Sequence, residues 1–337
     1  MSRQPLTAVP VLEPKQRNPL RRRLFLALTG EYFWFYVMLV PSLLILVAVV
    51  IIPMLYALRM SLANSSVVVI GGRGMVTGQW VGLQNYASLM HNPLFWQAFR
   101  ETLYFWLVSI VIEVTVGIGM AVLLNQNFWG RKVVRVIVFI PWAIPTVVNA
   151  MLWGMILDGD NYGALNDLLL RLHLISAPIV WLNPTPLFSQ IPWLANALSF
   201  VGANSAMNAL IVGDEWKTLP IVAVLILAGL QTIPSEYYEA ARVEGATGWR
   251  QFRQITLPLL GPILTVVLIL RTMQLLRAFT LIFTLEQYGM PLLSIQAYQQ
   301  AFSFGSFGTG SAISFLIALL ALLIAIVYIK RLYREEL

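Results

Sequence analysis

One stretch of the chain decides its fold class: residues 33–58 read FWFYVMLVPSLLILVAVVIIPMLYAL and contain no charged side chain. An α-helix needs about 20 apolar residues to cross the hydrocarbon core of a bilayer, and this run exceeds that length. Comparable apolar stretches recur at about residues 99–124, 133–157, 205–230, 257–282 and 309–331. The sequence therefore predicts an all-α polytopic membrane protein, with six transmembrane helices in a domain at 33–332 between tails at 1–32 and 333–337.

The composition agrees with a membrane protein and excludes several functions. Hydrophobic residues make up 58% of the chain and charged residues only 11%, whereas soluble domains carry about 25% charged residues. The net charge of +7 does not indicate nucleic acid, because basic cytoplasmic loops give a membrane protein the same balance. With no cysteine and only His91 and His173, we expect no disulfide, no metal site, no cofactor on this chain and no nucleic-acid partner.

The positions of Lys and Arg predict the orientation of the six spans. Most of the 22 basic residues lie before the first span, near residues 131–135, in the loop at 231–256, or after the sixth span. Basic residues concentrate on the cytoplasmic side of membrane proteins. We therefore expect both termini and the 231–256 loop in the cytoplasm, and the long loop at 158–204 outside it.

The loop at 231–256 contains signals for a short capped helix. Pro234 ends the fourth span, and Ser235 is expected to cap the N-terminus of a new helix. Gly245 suits the left-handed residue that follows a helix C-terminus, since it lacks a Cβ. A second short helix, with Trp249 and Phe252 on one face, is expected next. By periodicity alone, an amphipathic helix pair on the membrane surface is the simpler interpretation of this loop.

The spacing within this loop resembles that of a known family. Glu-Ala-Ala at 239–241 is followed by Gly245 and then, after nine residues, by Ile255-Thr256-Leu257-Pro258. This pattern resembles the signature loop of the membrane subunits of ATP-binding-cassette (ABC) importers. Residues 31–335 are also similar to the carbohydrate-uptake permeases that include the maltose-transporter membrane subunits, especially trehalose-type and osmolyte-type members. The stretches that carry this similarity are Trp216–Pro220, Leu227–Pro234 and Gly310–Ser314.

The resemblance implies a type I ABC importer permease core in a bacterial inner membrane. The partners it implies are a second homologous permease, two ATPase subunits, an extracytoplasmic solute-binding protein and a sugar. Glu239 would pair with a basic residue in a cleft of the ATPase, Ala240 and Ala241 would allow close packing there, and Gly245 would permit the turn that keeps the helix seated. The remaining expected coupling residues are Arg242, Ile255 and Pro258.

Ionisable residues inside the predicted spans are candidates for a transport site, because charges in the bilayer interior are costly. Glu113, Lys217, Arg271 and Arg277 stand out in this respect. A structural ion pair within the helix bundle, for instance with Glu113 or Asp214, is the alternative role for each arginine.

A sugar site needs hydrogen-bonding side chains and aromatic surfaces, and the spans contain both. Arg271 and Gln274 are three residues apart, as Gln274 and Arg277 are, so that all three could share one helix face. Asn149, Trp153 and Thr218 are also suitable residue types. Alignment with the maltose-type subunit on the Glu-Ala-Ala loop implies substrate-lining positions at Thr218, Ile221, Arg271, Gln274, Leu275 and Ala278.

The residues at several of these positions differ from those found in the relatives. Leu275 and Ala278 are apolar where the maltose-type subunit has amides, and trehalose-type members often have acidic residues where this chain has Gln274 and Thr280. The resemblance favours a disaccharide such as trehalose, or a related glycoside used as an osmolyte. The partner permease could hold part of the sugar.

The sequence predicts a transport subunit without enzymatic activity. It contains no Gly-x-x-x-x-Gly-Lys-Ser/Thr motif, so ATP and Mg would be bound by the partner subunits. No Ser-His-Asp, metal-ligand or paired-carboxylate constellation is apparent, and we assign no catalytic residue.

Two other classes of function remain open. An ion-coupled secondary transporter would need carboxylates lining the spans, and Glu113 is the clear candidate. A membrane-embedded transferase would need acidic residues clustered at one membrane face. Asp158 and Asp160 cluster in that way, although a loop turn with Asn161 and Gly163 explains them more simply.

Overall fold

The structure is a computed structural model, and it describes residues 31–70, 73–160, 163–285 and 290–332. Most of the predicted tail at 1–32 and all of the tail at 333–337 lie outside the described residues. The described chain is mostly helical, in agreement with the predicted fold class, with one β-hairpin that the prediction missed.

The N-terminal helical segment is continuous in backbone but not in helix type. Helix α1 (Glu31–Leu46) passes through a π-helical turn (Val47–Ile51) into α2 (Ile52–Ser61). The π-turn ends two residues before Pro53, whose missing N–H interrupts the α-helical hydrogen-bond ladder. Residues Val37–Ser61 are long and apolar enough to cross a membrane.

A β-hairpin follows, and it contradicts the all-α prediction for this loop. Strand β1 (Ala63–Ile70) pairs antiparallel with β2 (Arg73–Trp80), from Ala63 opposite Trp80 to Ile70 opposite Arg73. The β-branched residues 67–70 favour a strand, and two glycines at 71–72 suit a tight hairpin turn, although the turn itself lies outside the described residues.

Helix α3 (Gln84–Met90) leads into the longest helix, α4 (Pro93–Asn125), which begins six residues before the predicted span at 99–124. Asn92 explains this earlier start. Its side-chain oxygen accepts a hydrogen bond from the backbone N–H of Leu94 at 2.9 Å, and Pro93 occupies the first helical position, where no N–H is needed.

The stretch at 133–157, predicted as one span, is broken in two. Helix α5 (Arg131–Ala143) and helix α6 (Thr146–Ile156) meet at an angle of 90°. Pro145 forces the preceding residue Ile144 into an extended conformation (ψ 130°) and cannot donate to a helical carbonyl. The prediction of a continuous helix was therefore wrong.

The long loop after α6 contains two short helices, α7 (Ala164–Arg171) and α8 (Pro192–Phe200). Asn166 organises its first half. Its amide nitrogen donates to the carbonyl of Asp158 at 3.0 Å, and its amide oxygen accepts from the indole of Trp181 at 2.9 Å. The carboxylate of Asp158 accepts from the backbone N–H of Asp160 at 2.9 Å, which is the hydrogen bonding of a loop turn.

Helix α9 (Ser205–Leu230) has the same bounds as the fourth apolar stretch. It is followed by four short elements, namely α10 (Ser235–Val243), α11 (Gly248–Gln251), a π-helical turn (Phe252–Thr256) and α12 (Leu257–Leu259). The fifth stretch then divides into α13 (Gly261–Leu275) and α14 (Thr280–Thr284) instead of forming the single helix expected at 257–282.

The chain ends in α15 (Leu293–Tyr298), a π-helical turn (Gln299–Ser303) and α16 (Phe307–Leu332). Helix α16 contains the sixth apolar stretch at 309–331. Among the described residues, four helical segments can cross a membrane by length and composition, and up to six can if the bent pairs α5–α6 and α9–α10 each count as one span.

The core lies where α4, α9 and α13 pack together. Phe105, Leu210 and Leu275, one from each helix, are almost completely buried in a single cluster. Since lipid tails are as apolar as leucine, close packing rather than transfer from water holds such helices together. Gly229 brings α9 close to Ile263 on α13, because a Cβ there would lie 2.5 Å from the Ile263 Cγ2 atom.

Candidate functional site

A cavity of about 450 Å³ opens between the bent pair α5–α6 and helices α9, α13 and α14. Its wall combines charged, hydroxyl, amide and aromatic side chains. The lining residues are Trp142, Thr146, Asp214, Lys217, Thr218, Ile221, Leu225, Leu270, Arg271, Gln274, Leu275, Ala278, Phe279, Thr280 and Leu281. Such a mixture can hydrogen-bond a polar ligand while packing against its apolar faces.

The structure brings most of the expected substrate-lining residues together in this cavity. The six that line it are Thr218, Ile221, Arg271, Gln274, Leu275 and Ala278. The other two do not line it. Asn149 is buried and donates to the carbonyl of Gly213 at 3.0 Å, while Trp153 packs edge-on against Trp216. These two side chains hold α6 against α9, so their expected place in the site is corrected to a packing role.

Arg271 is the centre of a buried polar network beside the cavity. Its Nε atom donates to Glu113 Oε1 at 2.6 Å, and its NH2 group forms an ion pair with the same carboxylate. The NH2 group also donates to Asp214 Oδ2 at 3.2 Å, and the NH1 group donates to Gln274 Oε1 at 2.5 Å. The network therefore joins α4, α9 and α13, and the ion pair considered as an alternative for Arg271 is present.

Glu215 belongs to the same region, and the sequence analysis missed it. It is 4% exposed, and neither of its carboxylate oxygens has a hydrogen-bond partner among the described residues. One carboxylate oxygen from each of Glu113, Asp214 and Glu215 lies within 4.8 Å of the other two. An ionisable residue next to Asp214 within an apolar stretch was the signal that could have identified it. Sequence analysis also missed Trp142, Thr146 and Phe279 as lining residues.

Lys217 and Arg277 occupy different surroundings. Lys217 lines the cavity with Arg271, whereas Arg277 lines a second cavity of about 430 Å³ bordered by α13, α15 and α16. Side chains six residues apart on an α-helix point about 120° apart around the helix axis. In addition, α13 ends at Leu275, before Arg277. The expected shared face of Arg271 and Arg277 is therefore wrong.

The loop between α9 and α13 contains a compact helical segment, residues 235–256, which we call the coupling segment because of its expected role. Gly245 has φ +77° and donates to the Arg242 carbonyl at 3.0 Å, while the next N–H, of Ala246, donates to the Ala241 carbonyl at 2.9 Å. These two bonds form a Schellman motif, the common end of an α-helix. Ser235 is the first residue of α10 rather than its cap, because Pro234 takes the capping position.

The second half of the coupling segment is tied to the first by side chains. Thr247 Oγ1 accepts from the N–H of Arg250 at 3.4 Å and caps α11. The hydroxyls of Tyr238 and Thr256 lie 3.0 Å apart, and the rings of Trp249 and Phe252 stack at 5.6 Å. The segment is thus a folded unit.

The outer surface of the coupling segment is exposed over its whole length. Glu239 and Ala240 are exposed, and Val243 and Trp249 are 90% and 71% exposed. The other expected coupling residues are also at the surface, wholly or in part: Ala241, Arg242, Gly245, Ile255 and Pro258. An exposed face with large apolar side chains is typical of a surface that contacts a partner protein or a membrane.

Comparisons with known proteins place the chain in a family. Residues 113–334 match the family described as "Binding-protein-dependent transport system inner membrane component". This range covers the C-terminal part of α4 from Glu113 onward and all of the cavity and coupling segment. The chain belongs to this family, and it is a membrane-embedded permease of an ABC transporter.

Individual relatives agree with this assignment. The chain is 36% identical over 299 residues to the "Trehalose/maltose transport system permease protein MalF" of Thermococcus litoralis, which covers 88% of this chain and 92% of the relative. The fold of the present chain is also similar to that of one chain in the crystal structure of a bacterial ABC transporter involved in the import of the acidic polysaccharide alginate. The TM-score is 0.72 at 21% identity, and the match covers 94% of this chain and 100% of the other.

A second structure with a similar fold contains a periplasmic protein as well as the transporter. In the crystal structure of bacterial alginate ABC transporter in complex with alginate pentasaccharide-bound periplasmic protein, the matching chain has a TM-score of 0.70 and 21% identity. The match covers 92% of this chain and 97% of that chain. At this identity the likeness establishes the fold.

Proposed function

We propose that this chain is the six-span permease subunit of an ABC importer that takes up a sugar, with both termini and the coupling segment in the cytoplasm. An extracytoplasmic solute-binding protein delivers the sugar, and a second homologous permease completes the path through a bacterial inner membrane. Two ATPase subunits dock on the coupling segment and bind the ATP and Mg. The chain itself has no catalytic residue.

One observation carries this proposal. The coupling segment joins the C-terminal end of α9 to α12 and α13, and α9 and α13 together supply Asp214, Thr218, Arg271 and Gln274 to the cavity wall. A partner that moves the exposed segment therefore acts on two helices that line the cavity. The simpler alternative, a helix pair lying on the membrane surface, gives no reason for Glu239 to be exposed beside large apolar side chains.

The transport step follows from this connection. ATP-driven closure of the ATPases moves Glu239 and α10, and the attached helices α9 and α13 change their packing against α4. The cavity then opens alternately to the two sides of the membrane. Since such a change needs a difference in free energy between two states, the ATPase supplies it by binding one state more tightly than the other.

The cavity suits a sugar of disaccharide size. A cavity of about 450 Å³ lies in the range of small-molecule sites. Thr218, Gln274 and Lys217 offer hydrogen bonds to hydroxyl groups, and Trp142 and Phe279 offer flat faces for sugar rings. The relative named for trehalose and maltose supports a disaccharide, or a related glycoside used as an osmolyte. The structural relative that imports alginate handles an acidic polysaccharide, so the fold by itself does not set the charge of the solute.

Co-purification of the tagged chain from its native membrane tests the proposal. We expect a second permease and an ATPase with a Walker motif to accompany the wild-type chain. Glu239→Arg should remove the ATPase and abolish uptake while leaving the membrane abundance unchanged, because it reverses a charge on the exposed face of α10.

Glu244→Arg is the matched control, since it makes the same charge reversal on an exposed residue at the end of the same helix. It should keep the ATPase bound and uptake near the wild-type level. Normal uptake by Glu239→Arg, or a chain that purifies alone yet folded, would contradict the proposal.

The alternative function, an ion-coupled secondary transporter, has one observation in its favour, the carboxylates beside the cavity, whereas the family of the chain favours the ABC importer. Glu113, Asp214 and Glu215 form a group of three where the sequence had indicated Glu113 alone. Carboxylates inside a membrane bundle are common in ion-coupled carriers. Uptake that survives ATP depletion but stops when the proton or sodium gradient is removed would establish this alternative.

A further inference from the structure

Each of the three guanidinium nitrogens of Arg271 contacts a protein side chain, although Arg271 borders the cavity. The residue is 6% exposed. Its Nε and NH2 groups are bonded to Glu113, NH2 also to Asp214, and NH1 to Gln274. A carboxylate or sulfonate on a ligand would therefore have to displace Glu113 or Asp214 to pair with the Nε and NH2 groups of Arg271, and breaking a buried ion pair is costly.

The formal charges around the cavity are also unfavourable for an anion. The region contains three carboxylates, on Glu113, Asp214 and Glu215, and two cationic groups, on Arg271 and Lys217. A single proton on the carboxylates would bring this balance to zero, and Arg271 would remain paired. In neither case does the region, taken as the cavity wall together with Glu113 and Glu215 behind it, carry excess positive charge that would attract an anion.

The same network fixes the hydrogen-bonding role of Gln274. Its amide oxygen accepts from Arg271, so the other end of the amide, the NH2 group, is left as a donor. Gln274 is exposed and lines the cavity. A hydroxyl or ring oxygen of an uncharged sugar can accept a hydrogen bond from this NH2 group without breaking an ion pair of Arg271.

We propose that Glu113, which does not line the cavity, is a positioning residue that sets the charge selectivity of the site. By pairing with Arg271 behind the wall, it withdraws the guanidinium charge from the ligand and holds Gln274 as a donor. The cavity consequently accepts uncharged glycosides and excludes those that carry a carboxylate or sulfonate. This inference rests on the proposed sugar transport.

Ligand-observed NMR titration of the purified transporter in lipid nanodiscs tests the inference. The two probes are trehalose and its derivative oxidised to a carboxylate at one C6, which differ in a single charge. We expect the wild type to bind trehalose roughly tenfold or more tightly than the carboxylate. Glu113→Gln keeps an oxygen that can accept from Arg271 but removes one negative charge. It should therefore lower the ratio of the affinity for trehalose to the affinity for the carboxylate at least several-fold.

Two further variants separate selectivity from folding. Asp214→Asn removes the other carboxylate on Arg271 and should shift the ratio in the same direction. Glu101→Gln is the matched control, because Glu101 is buried on the same helix α4 but hydrogen-bonds to Gln97, outside the network. It should leave the ratio unchanged. If Glu113→Gln does not fold, the affinity ratio measured in Asp214→Asn tests the inference in its place.

The outcomes distinguish this inference from the function on which it rests. A ratio that stays at the wild-type value in folded Glu113→Gln and Asp214→Asn would overturn the role of Glu113 and leave sugar transport intact. A ratio that shifts equally in Glu101→Gln would also overturn it, since the effect would be structural. Failure of the wild type to bind either sugar would overturn the sugar assignment, and this inference with it.

Discussion

The coupling segment and the Arg271 network are two polar regions of one chain that are built in opposite ways. The coupling segment is exposed, and its bonds join residues close in sequence, such as Gly245 with Arg242 at 3.0 Å. The Arg271 network is buried, and its central bond joins Glu113 and Arg271, 158 positions apart. The first region is folded by local signals, and the second exists only when three helices are already packed.

This difference explains how the two regions can cooperate. A segment that is stable through its own hydrogen bonds can move as a unit when a partner grips it. A largely buried network whose partners come from three packed helices has few alternative arrangements, so a shift of α9 relative to α13 changes its geometry. The exposed region therefore receives the motion, and the buried region responds to it.

Removing Arg271 should produce the largest loss of stability. Arg271→Ala leaves the buried Glu113 and the partly buried Asp214 without their cation, and breaking a buried pair in this way costs about 3–5 kcal/mol. Thermal unfolding of the purified chain in detergent, together with its abundance in membranes, measures this effect. Arg171→Ala is the matched control, because its ion pair with Asp167 at 2.9 Å is exposed on α7, and exposed pairs contribute little. Equal melting temperatures for the two variants would contradict the structural importance of the network.

Closing the contact between α9 and α13 should have an intermediate effect. A Cβ at Gly229 would lie 2.5 Å from Ile263 Cγ2, and a β-branched side chain in a helix has little rotamer freedom to move away. Gly229→Ala should therefore destabilise the chain by about 1–3 kcal/mol. Gly119→Ala, on α4 with open space around it, should be neutral or slightly stabilising. Equal melting temperatures for Gly229→Ala and Gly119→Ala would disprove the close approach of α9 and α13.

The smallest effect on stability is expected at the end of α10. Gly245 has φ +77°, and an alanine in this left-handed conformation costs about 1–2 kcal/mol. Because the strain is local, Gly245→Ala should lower uptake several-fold while sugar binding in the cavity stays at the wild-type level. Gly248→Ala, in the first turn of α11, should leave both unchanged. A parallel loss of sugar binding in Gly245→Ala would show that the two regions are not separate.

The features that the sequence predicted well are those governed by local chemistry. The end of α10 at Gly245 followed from a glycine, and the bounds of α9 followed from a long, largely apolar stretch. The β-hairpin at 63–80 was missed although its β-branched residues and paired glycines are local signals of the same kind. The break at Pro145 was missed because a proline inside a span is compatible with a kinked or a broken helix, and packing decides between them.

The candidate site was only partly predictable, since its geometry depends on contacts between distant helices. Thr218 and Gln274 were found through a resemblance, and Glu113 and Arg271 through the cost of charge in a membrane. Asn149 and Trp153 have suitable chemistry for a sugar, but α6 turns them toward α9 instead of the cavity. Glu215 was missed. One of its carboxylate oxygens lies within 4.8 Å of a carboxylate oxygen of Glu113, and this proximity depends on the packing of α4 against α9.

The central claim is that the coupling segment moves the cavity wall, and thiol labelling of Ile221→Cys tests it most directly. The chain has no cysteine of its own, and Ile221 lines the cavity on α9. In the complete transporter, ATP should change the labelling rate of this cysteine several-fold, and Glu239→Arg should abolish that change while Glu244→Arg preserves it. The same ATP dependence in Glu239→Arg as in the parent would contradict the claim.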